Sequence, residues 1–177
     1  MSASKTIQTD RLLLRSITSE DIQHIYKGLS HPDVIKYYGI SFSSLEATEE
    51  QMIWYRELEQ TETGIWWAIC SPEGQTFYGA GGFNNVSKQH RKAEIGFWLL
   101  PEFWGEGLMQ EAFPAICNYG FNTLGLNRIE GFVESDNASC KKAVEKLHFK
   151  HEGTMRDCEI KDGKPLSIDI YSKLKSD

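Results

Sequence analysis

The first third of the chain changes from a strand-like to a helix-like spacing of hydrophobic residues. Three consecutive leucines within residues 11–15 predict a short strand. Residues 19–21 are typical helix starters. Apolar side chains then recur every three or four positions, at Ile22, Ile25, Tyr26 and Leu29. Pro32 and Gly39 interrupt the chain, and we predict a second helix from about residue 45 to 58.

The rest of the chain alternates apolar runs with two further helical patterns. Six runs have the length and residue types of strands. They cover residues 66–70, 77–83, 93–100, 128–133, 150–160 and 166–174. One helical pattern places Met109, Phe113 and Ile116 on one face, and the other begins after Asn137 with Val144 on its apolar stripe.

These elements give the order βααβββαβαββ in a single domain of 177 residues, 1–177. A strand, helix and strand around residues 95–133 imply a parallel pair with a right-handed crossover. The Asp162-Gly163 turn between the last two strands implies an antiparallel hairpin. We therefore predict a mixed sheet in an α+β domain of the α/β type.

The composition of the chain argues for some kinds of binding partner and cellular setting and against others. The net charge of −6 argues against nucleic-acid binding and is compatible with a cationic substrate. No apolar segment is long enough to cross a membrane or to serve as a signal peptide, so we expect neither. The four cysteines lack C-x-x-C spacing, so we expect no metal site. Such cysteines are typical of a cytoplasmic protein whose thiols stay reduced.

The most specific segment is residues 94–109, where an apolar strand is stopped by Pro101 and a loop with Gly105 and Gly107 leads into a helix. Glycine lets backbone N–H groups approach an oxyanion, and a helix N-terminus adds partial positive charge. The segment therefore predicts a phosphate cradle, with a plain tight turn as the alternative. The segment lacks the G-x-x-x-x-G-K-[ST] motif of the P-loop proteins. It is not a dinucleotide fingerprint either, because Gln110 stands where that motif has its third glycine.

The loop resembles the pyrophosphate-binding loop of the GCN5-related N-acetyltransferases (GNAT), with Glu102 where that family favours Gln or Arg. The stretch 137–153 is similar to the family's second motif, and residues 9–15 and 31–34 resemble its RimJ/RimL branch. The resemblance runs from about residue 7 to 174. It implies the GNAT fold, in which two parallel strands splay apart, and acetyl-CoA as cosubstrate with no metal.

The resemblance also implies a set of cofactor-binding residues. Backbone N–H groups would hold the pyrophosphate at Trp104, Gly105, Glu106, Gly107, Leu108 and Met109. The backbone of Phe97, Trp98 and Leu99 would meet the pantetheine arm, although these side chains are expected in the core either way. Asn137 would hydrogen-bond the same arm, act as a helix N-cap, or do both.

Two carboxylates are candidates for the general base. Glu159 matches a carboxylate of the RimL-like enzymes and ranks first, and Glu94 lies at the start of the cofactor strand. The third alternative is that the attacking amine loses its proton to water or to another group. Val144 stands where many GNAT enzymes carry an acid tyrosine, and Cys140 could hydrogen-bond the leaving thiolate or be a small core residue.

The predicted function is direct transfer of an acetyl group from acetyl-CoA to a primary amine. The acceptor would be a protein N-terminus, as in a ribosomal protein, or a small amine, and a homodimer is left open. A non-catalytic acyl-CoA-binding module is the alternative. A nucleotide-binding or phosphate-binding domain is a third reading, which the loop spacing disfavours.

Overall fold

A computed structural model describes residues 5–177 and shows one eight-stranded sheet in the order β1-β2-β3-β4-β5-β6-β8-β7. The strands are β1 Ile7–Gln8, β2 Leu13–Ser16, β3 Ile65–Cys70, β4 Phe77–Ser87, β5 Lys92–Leu99, β6 Arg128–Glu134, β7 Lys150–Lys161 and β8 Lys164–Leu174. Neighbouring strands are antiparallel except for β5 and β6, which are parallel. The prediction of a mixed sheet in an α+β domain is confirmed.

Five α-helices cover the two faces of this sheet. They are α1 Ile22–Leu29, α2 Pro32–Ile35, α3 Glu49–Gln60, α4 Leu108–Asn122 and α5 Ala138–Lys146. The sequence prediction missed β1 and α2. It treated Pro32 as a break, whereas Pro32 begins α2, because proline is tolerated in a first turn and the His31 side chain caps the helix by accepting a hydrogen bond from Asp33 N.

The helices divide the interior into two cores. On the α4/α5 face, Leu108, Phe113 and Ile116 of α4 pack with Val144 of α5 against the sheet. On the α1–α3 face, side chains from α1 and α3 pack against Trp66 and Trp98. Burying a large apolar side chain contributes about 1.5–3 kcal/mol, so both faces stabilise the sheet.

Glycine on β5 allows the second core to close. A Cβ atom at Gly96 would lie 2.5 Å from Cζ2 of the Trp66 indole, well inside van der Waals contact. The absence of a side chain there lets the indole approach the strand closely, so an aromatic ring fills this part of the α1–α3 face.

The two parallel strands separate soon after they meet. Within the described chain, β5 and β6 pair at Lys92 with Arg128, at Ala93 with Ile129 and at Glu94 with Glu130. Beyond Glu94, β5 continues to Leu99 along β4, while β6 continues to Glu134 along β8. A gap therefore opens in the middle of the sheet, and its wide end faces the loop that follows β5.

Candidate active site

The loop after β5 has the backbone shape of an anion cradle. Gly105 and Gly107 have φ values of 80° and 76°, in the left-handed region that favours glycine. A Cβ atom at Gly105 would meet no heavy atom within 4 Å, so one side of the loop is open. Gly107 is the N-cap of α4, and the first N–H groups of a helix lack intrahelical partners and attract anions.

The edge of β5 that borders the gap exposes the backbone of alternate residues. Leu100 donates its N–H to Tyr78 O of β4 at 2.8 Å. Because neighbouring residues of an antiparallel strand point their backbone groups to opposite sides, Trp98 also faces β4, whereas Phe97 and Leu99 face the gap. Trp104 reaches back along this edge and donates its indole N–H to Leu99 O at 2.9 Å.

Of the three residues expected to contact pantetheine, this alternation turns the backbone of only two toward the gap. Phe97 and Leu99 present backbone groups to the gap, while the backbone of Trp98 belongs to the ladder with β4. The Trp98 side chain is 4% exposed and packs on the α1–α3 face. We therefore treat Trp98 as a core residue and keep Phe97 and Leu99 as cofactor candidates.

Asn137 and Cys140 lie where α5 begins, just after the free end of β6. Asn137 Oδ1 accepts a hydrogen bond from Cys140 N at 3.1 Å, so Asn137 caps the helix. The Asn137 amide nitrogen is a further donor. Cys140 is half-buried and packs against the α4/α5 core.

The thiol of Cys140 is a weak acid in this environment. Burial raises the pKa of Cys140 to about 11, whereas an ordinary thiol has a pKa of about 8.5. Full proton transfer from Cys140 to a CoA thiolate is therefore uphill. The S–H group can still donate a weak hydrogen bond to such a thiolate.

Glu94 lies at the narrow end of the gap, as the last residue of β5 that pairs with β6. It is half-buried and accepts a hydrogen bond from Asn85 Nδ2 at 2.9 Å. Burial raises the pKa of Tyr38 well above its ordinary value, and the charge of Glu94 adds to that effect. The Glu94 carboxylate is therefore near enough to the Tyr38 hydroxyl for its charge to act on that group.

Glu159 lies beyond the wide end of the gap, on the β7–β8 hairpin. It is exposed and pairs with Leu166 of β8. The alternation along β8 places Leu166 on the α1–α3 face, the face that carries Glu94. The two candidate carboxylates thus lie on one face of the sheet, at opposite ends of the gap.

Lys161 ties the hairpin to α2. Its ammonium donates to Lys36 O and to Glu134 Oε1, both at 2.7 Å, and to Ile35 O and Tyr38 O, both at 3.4 Å. The sequence pattern ended the strand at about residue 160 and did not predict this link, because none of the partners of Lys161 is near it in the sequence. The contact fixes the hairpin that carries Glu159 against the segment that carries Tyr38.

A cluster of aromatic side chains lines the α1–α3 face. Trp54 lies edge-on to Trp66 with ring centroids 5.8 Å apart, and Tyr55 lies 5.6 Å from Trp66. Trp54 also borders a depression of about 550 Å³ whose other lining residues are Gly39, Ile40, Ser41, Phe42, Glu50 and Gln51.

Three buried polar atoms in this cluster lack hydrogen-bond partners within residues 5–177: Tyr55 Oη, Trp66 Nε1 and Trp98 Nε1. Their residues are 5%, 2% and 4% exposed. Unpaired polar atoms at such depth are uncommon and call for a ligand, a water molecule or a functional explanation.

Two charged residues near the loop are engaged elsewhere. Glu102 forms an ion pair with Lys27 of α1, which directs its carboxylate away from the cradle. Lys141 of α5 lies 3.2 Å from the buried carboxylate of Asp169. The Lys141 ammonium is therefore already engaged by a carboxylate, and the negative charge of Glu102 is kept away from the phosphate site. In the described chain no group of acidic, His or Cys residues could hold a metal ion, and no helix is long and apolar enough to span a membrane.

Comparisons with known proteins agree with this architecture. The family model described as "Acetyltransferase (GNAT) domain" matches residues 11–150. The uncharacterized N-acetyltransferase YoaA of Bacillus subtilis (strain 168) is 34% identical over 170 residues, which cover 96% of each chain.

Two solved structures share the fold at 20% identity. A RimL ribosomal L7/L12 α-N-protein acetyltransferase in complex with coenzyme A has a TM-score of 0.86 and covers 96% of this chain and 98% of its own. The spermidine N-acetyltransferase from Vibrio cholerae in complex with CoA and spermine has a TM-score of 0.85, with 95% and 98% covered. With the family model and the YoaA match, the protein belongs to the GNAT family and is an N-acetyltransferase.

Proposed function

We propose that the protein transfers an acetyl group directly from acetyl-CoA to a primary amine. One observation carries the proposal: the gap between β5 and β6 opens next to the glycine loop at the N-terminus of α4. A strand edge that turns backbone groups toward an open gap, beside an anion cradle, suits a ligand with an amide-bearing arm and a diphosphate, which is the composition of CoA.

In this proposal the loop from Trp104 to Met109 receives the diphosphate through its backbone N–H groups. The pantetheine amides would hydrogen-bond the gap-facing backbone of Phe97 and Leu99, and Asn137 would add its side-chain amide. The similar RimL and spermidine acetyltransferase structures contain CoA, which supports CoA as the ligand.

The reaction needs one proton acceptor and no covalent enzyme intermediate. The amine nitrogen attacks the thioester carbonyl, the C–S bond breaks, and the CoA thiolate leaves and is protonated. The proton that the amine loses must reach a base. Cys140 would donate a hydrogen bond to the thiolate, while its high pKa leaves the final proton to solvent.

We propose Glu94 as that base, acting through a water molecule, with Glu159 as the rival. Half-burial and the Asn85 hydrogen bond hold Glu94 in one place at the narrow end of the gap. A base that is both fixed and partly buried is the arrangement that general-base catalysis favours. Glu159 ranked first on resemblance, but its carboxylate is exposed.

The acceptor would enter from the α1–α3 face, through the depression bordered by Trp54 and residues 39–42. The unpaired indole N–H group of Trp66 can only donate a hydrogen bond. An acceptor with carbonyl oxygens could satisfy this donor, whereas a protonated polyamine could not. We therefore propose a peptide α-amine or another oxygen-bearing amine as the acceptor.

The test is CoA release with a panel of amines. Short N-terminal peptides and amino-acid amides form one arm, and spermidine and other polyamines form the second. Turnover with the first arm is the expected result. Preference for polyamines would overturn the acceptor class but keep the transferase. Tight CoA binding with no turnover on any amine would favour the non-catalytic acyl-CoA-binding module.

We also propose that the protein works in the cytoplasm. All four cysteines are within the described chain and are free, and Cys70 and Cys117 are buried, as expected for thiols kept reduced. A homodimer stays a prediction, which light scattering of the purified protein would test.

A further inference from the structure

Arg11, from the segment between β1 and β2, contacts the back of the glycine loop. Its Nη1 donates to Glu106 O at 3.0 Å and its Nη2 donates to Gly107 O at 3.3 Å. Its Nε donates to Glu111 Oε2 of α4 at 2.6 Å. One guanidinium therefore holds two consecutive loop carbonyls and the first turn of the following helix.

These contacts determine where the loop N–H groups point. The structure contains no cis peptide bond within residues 5–177. In a planar trans peptide, the carbonyl of one residue and the N–H of the next point in opposite directions. Because the carbonyls of Glu106 and Gly107 face Arg11, the N–H groups of Gly107 and Leu108 face away from it. These two N–H groups therefore lie on the face of the loop opposite Arg11.

Glu111 in turn holds Arg11 in place. Its Oε1 accepts hydrogen bonds from Thr9 Oγ1 at 2.5 Å and from Arg11 N at 2.8 Å. Glu111 lies in the first turn of α4, where a carboxylate also stabilises the helix dipole. Glu111 therefore holds Arg11 at two points, its backbone N–H and its side-chain Nε.

The arrangement is unlike ordinary core packing. The Arg11 side chain is 52% exposed, and a depression of about 470 Å³ surrounds it. Two glycines with positive φ make the loop flexible in isolation. A surface arginine that donates to two carbonyls of such a loop therefore fixes the orientation of two peptide planes.

We propose that Arg11, held by Glu111, is a positioning residue for the diphosphate of acetyl-CoA. It keeps the N–H groups of Gly107 and Leu108 aimed at the ligand without touching the ligand itself. This inference rests on the proposed function, since it assumes that the loop receives a diphosphate.

The experiment compares Arg11→Gln with wild type on two acetyl donors. Acetyl-CoA carries the diphosphate and acetylpantetheine lacks it. Arg11→Gln should raise KM for acetyl-CoA and the calorimetric Kd for CoA about tenfold, the scale of losing charge-assisted hydrogen bonds. It should leave kcat at saturating acetyl-CoA, and kcat/KM for acetylpantetheine, unchanged.

Two further variants sharpen the result. Arg11→Lys should fall between Arg11→Gln and wild type, because a lysine is a single point donor and cannot hold both carbonyls and Glu111 together. Arg91→Gln is the matched control. Its Nε donates to Gly125 O at 2.9 Å, in another loop with a positive-φ glycine, and its loss should not change KM for acetyl-CoA.

Three outcomes would overturn the proposal. Equal losses with both donors would show that Arg11 only supports the fold. An unchanged Kd for CoA in Arg11→Gln would show that the loop keeps its shape unaided, while the proposed function stands. Wild-type protein that neither binds CoA nor turns over acetyl-CoA would overturn the proposed function together with this role.

Discussion

Replacing the carboxylates at the two ends of the gap tests the central chemical step. Glu94→Gln keeps the size of the side chain. Its amide oxygen can still accept the hydrogen bond from Asn85, which is 2.9 Å long in the wild-type protein. Only the basicity is removed. Glu159→Gln is the matched change on the hairpin, where the side chain is exposed.

The geometry sets the size of the expected effect. By the β5–β6 register, Phe97 is level with Val133, which pairs with Asp169 of β8. Glu94 is three residues from Phe97, and Leu166, the partner of Glu159, is three residues from Asp169. At about 3.3 Å per residue, the Cα atom of each glutamate lies about 10 Å along the strands from the middle of the gap, farther than a glutamate side chain extends.

A base at that distance must work through water. General-base assistance is worth about a hundredfold to ten-thousandfold, and a water relay places the expectation at the lower end. We therefore expect Glu94→Gln to lower kcat about a hundredfold, with the KM for acetyl-CoA unchanged. The acidic limb of the pH–rate profile should disappear, because that limb reports protonation of the base.

The assay is steady-state CoA release across pH, with calorimetric CoA binding as the check that the fold is intact. Wild-type turnover in Glu94→Gln with a crippled Glu159→Gln would refute the assignment and move the base to the hairpin. A loss below about threefold in both variants, against the hundredfold expectation, would show that the proton leaves through solvent.

Three other substitutions give further predictions. Gly107→Val should weaken CoA binding more than about tenfold by calorimetry, because a β-branched residue is strained at positive φ and its side chain would lie against the Arg11 guanidinium that holds the loop. Gly96→Ala should lower the free energy of unfolding by about 1–3 kcal/mol in urea titrations, since the new methyl group clashes with the Trp66 ring. Burial tends to raise the pKa of Asp21, but the hydrogen bonds from Arg15 and from Thr18 N, together with the charge of Arg15, leave that pKa below its ordinary value. Asp21→Asn should therefore cost about 3 kcal/mol at pH 7. The difference from wild type should shrink as the pH falls below about 4, where the carboxylate of the unfolded chain becomes protonated, and should disappear below the lower pKa of the folded state.

The sequence predicted most of the strands and longer helices because their apolar periods were unambiguous. It placed the start of α3 near residue 45 instead of Glu49, since the preceding turn has similar polar residues. It could not separate Trp98 from Phe97 and Leu99, because which backbone groups face the gap depends on the register between β4 and β5. That register is a property of the paired strands.

The contacts around the candidate site were the least predictable. Arg11 was taken as the start of a strand, and its partners on the loop and α4 lie about 100 residues away. Lys161 similarly reaches α2 across the fold. Both are long side chains that bind backbone carbonyls, and a carbonyl has no sequence signature. Only the three-dimensional arrangement identifies such partners.

The early parting of β5 and β6 leaves the sheet continuous through only three residue pairs at its centre. If an extended pantetheine arm bonds the free edge of β5, the ligand acts as a missing strand and completes the ladder across the gap. Cofactor occupancy would then govern how firmly the two halves of the sheet move as one body. Backbone amides of Phe97 and Leu99 should exchange with solvent deuterium markedly more slowly once CoA is bound, and the melting temperature should rise with CoA concentration, as expected for a ligand that binds only the folded state.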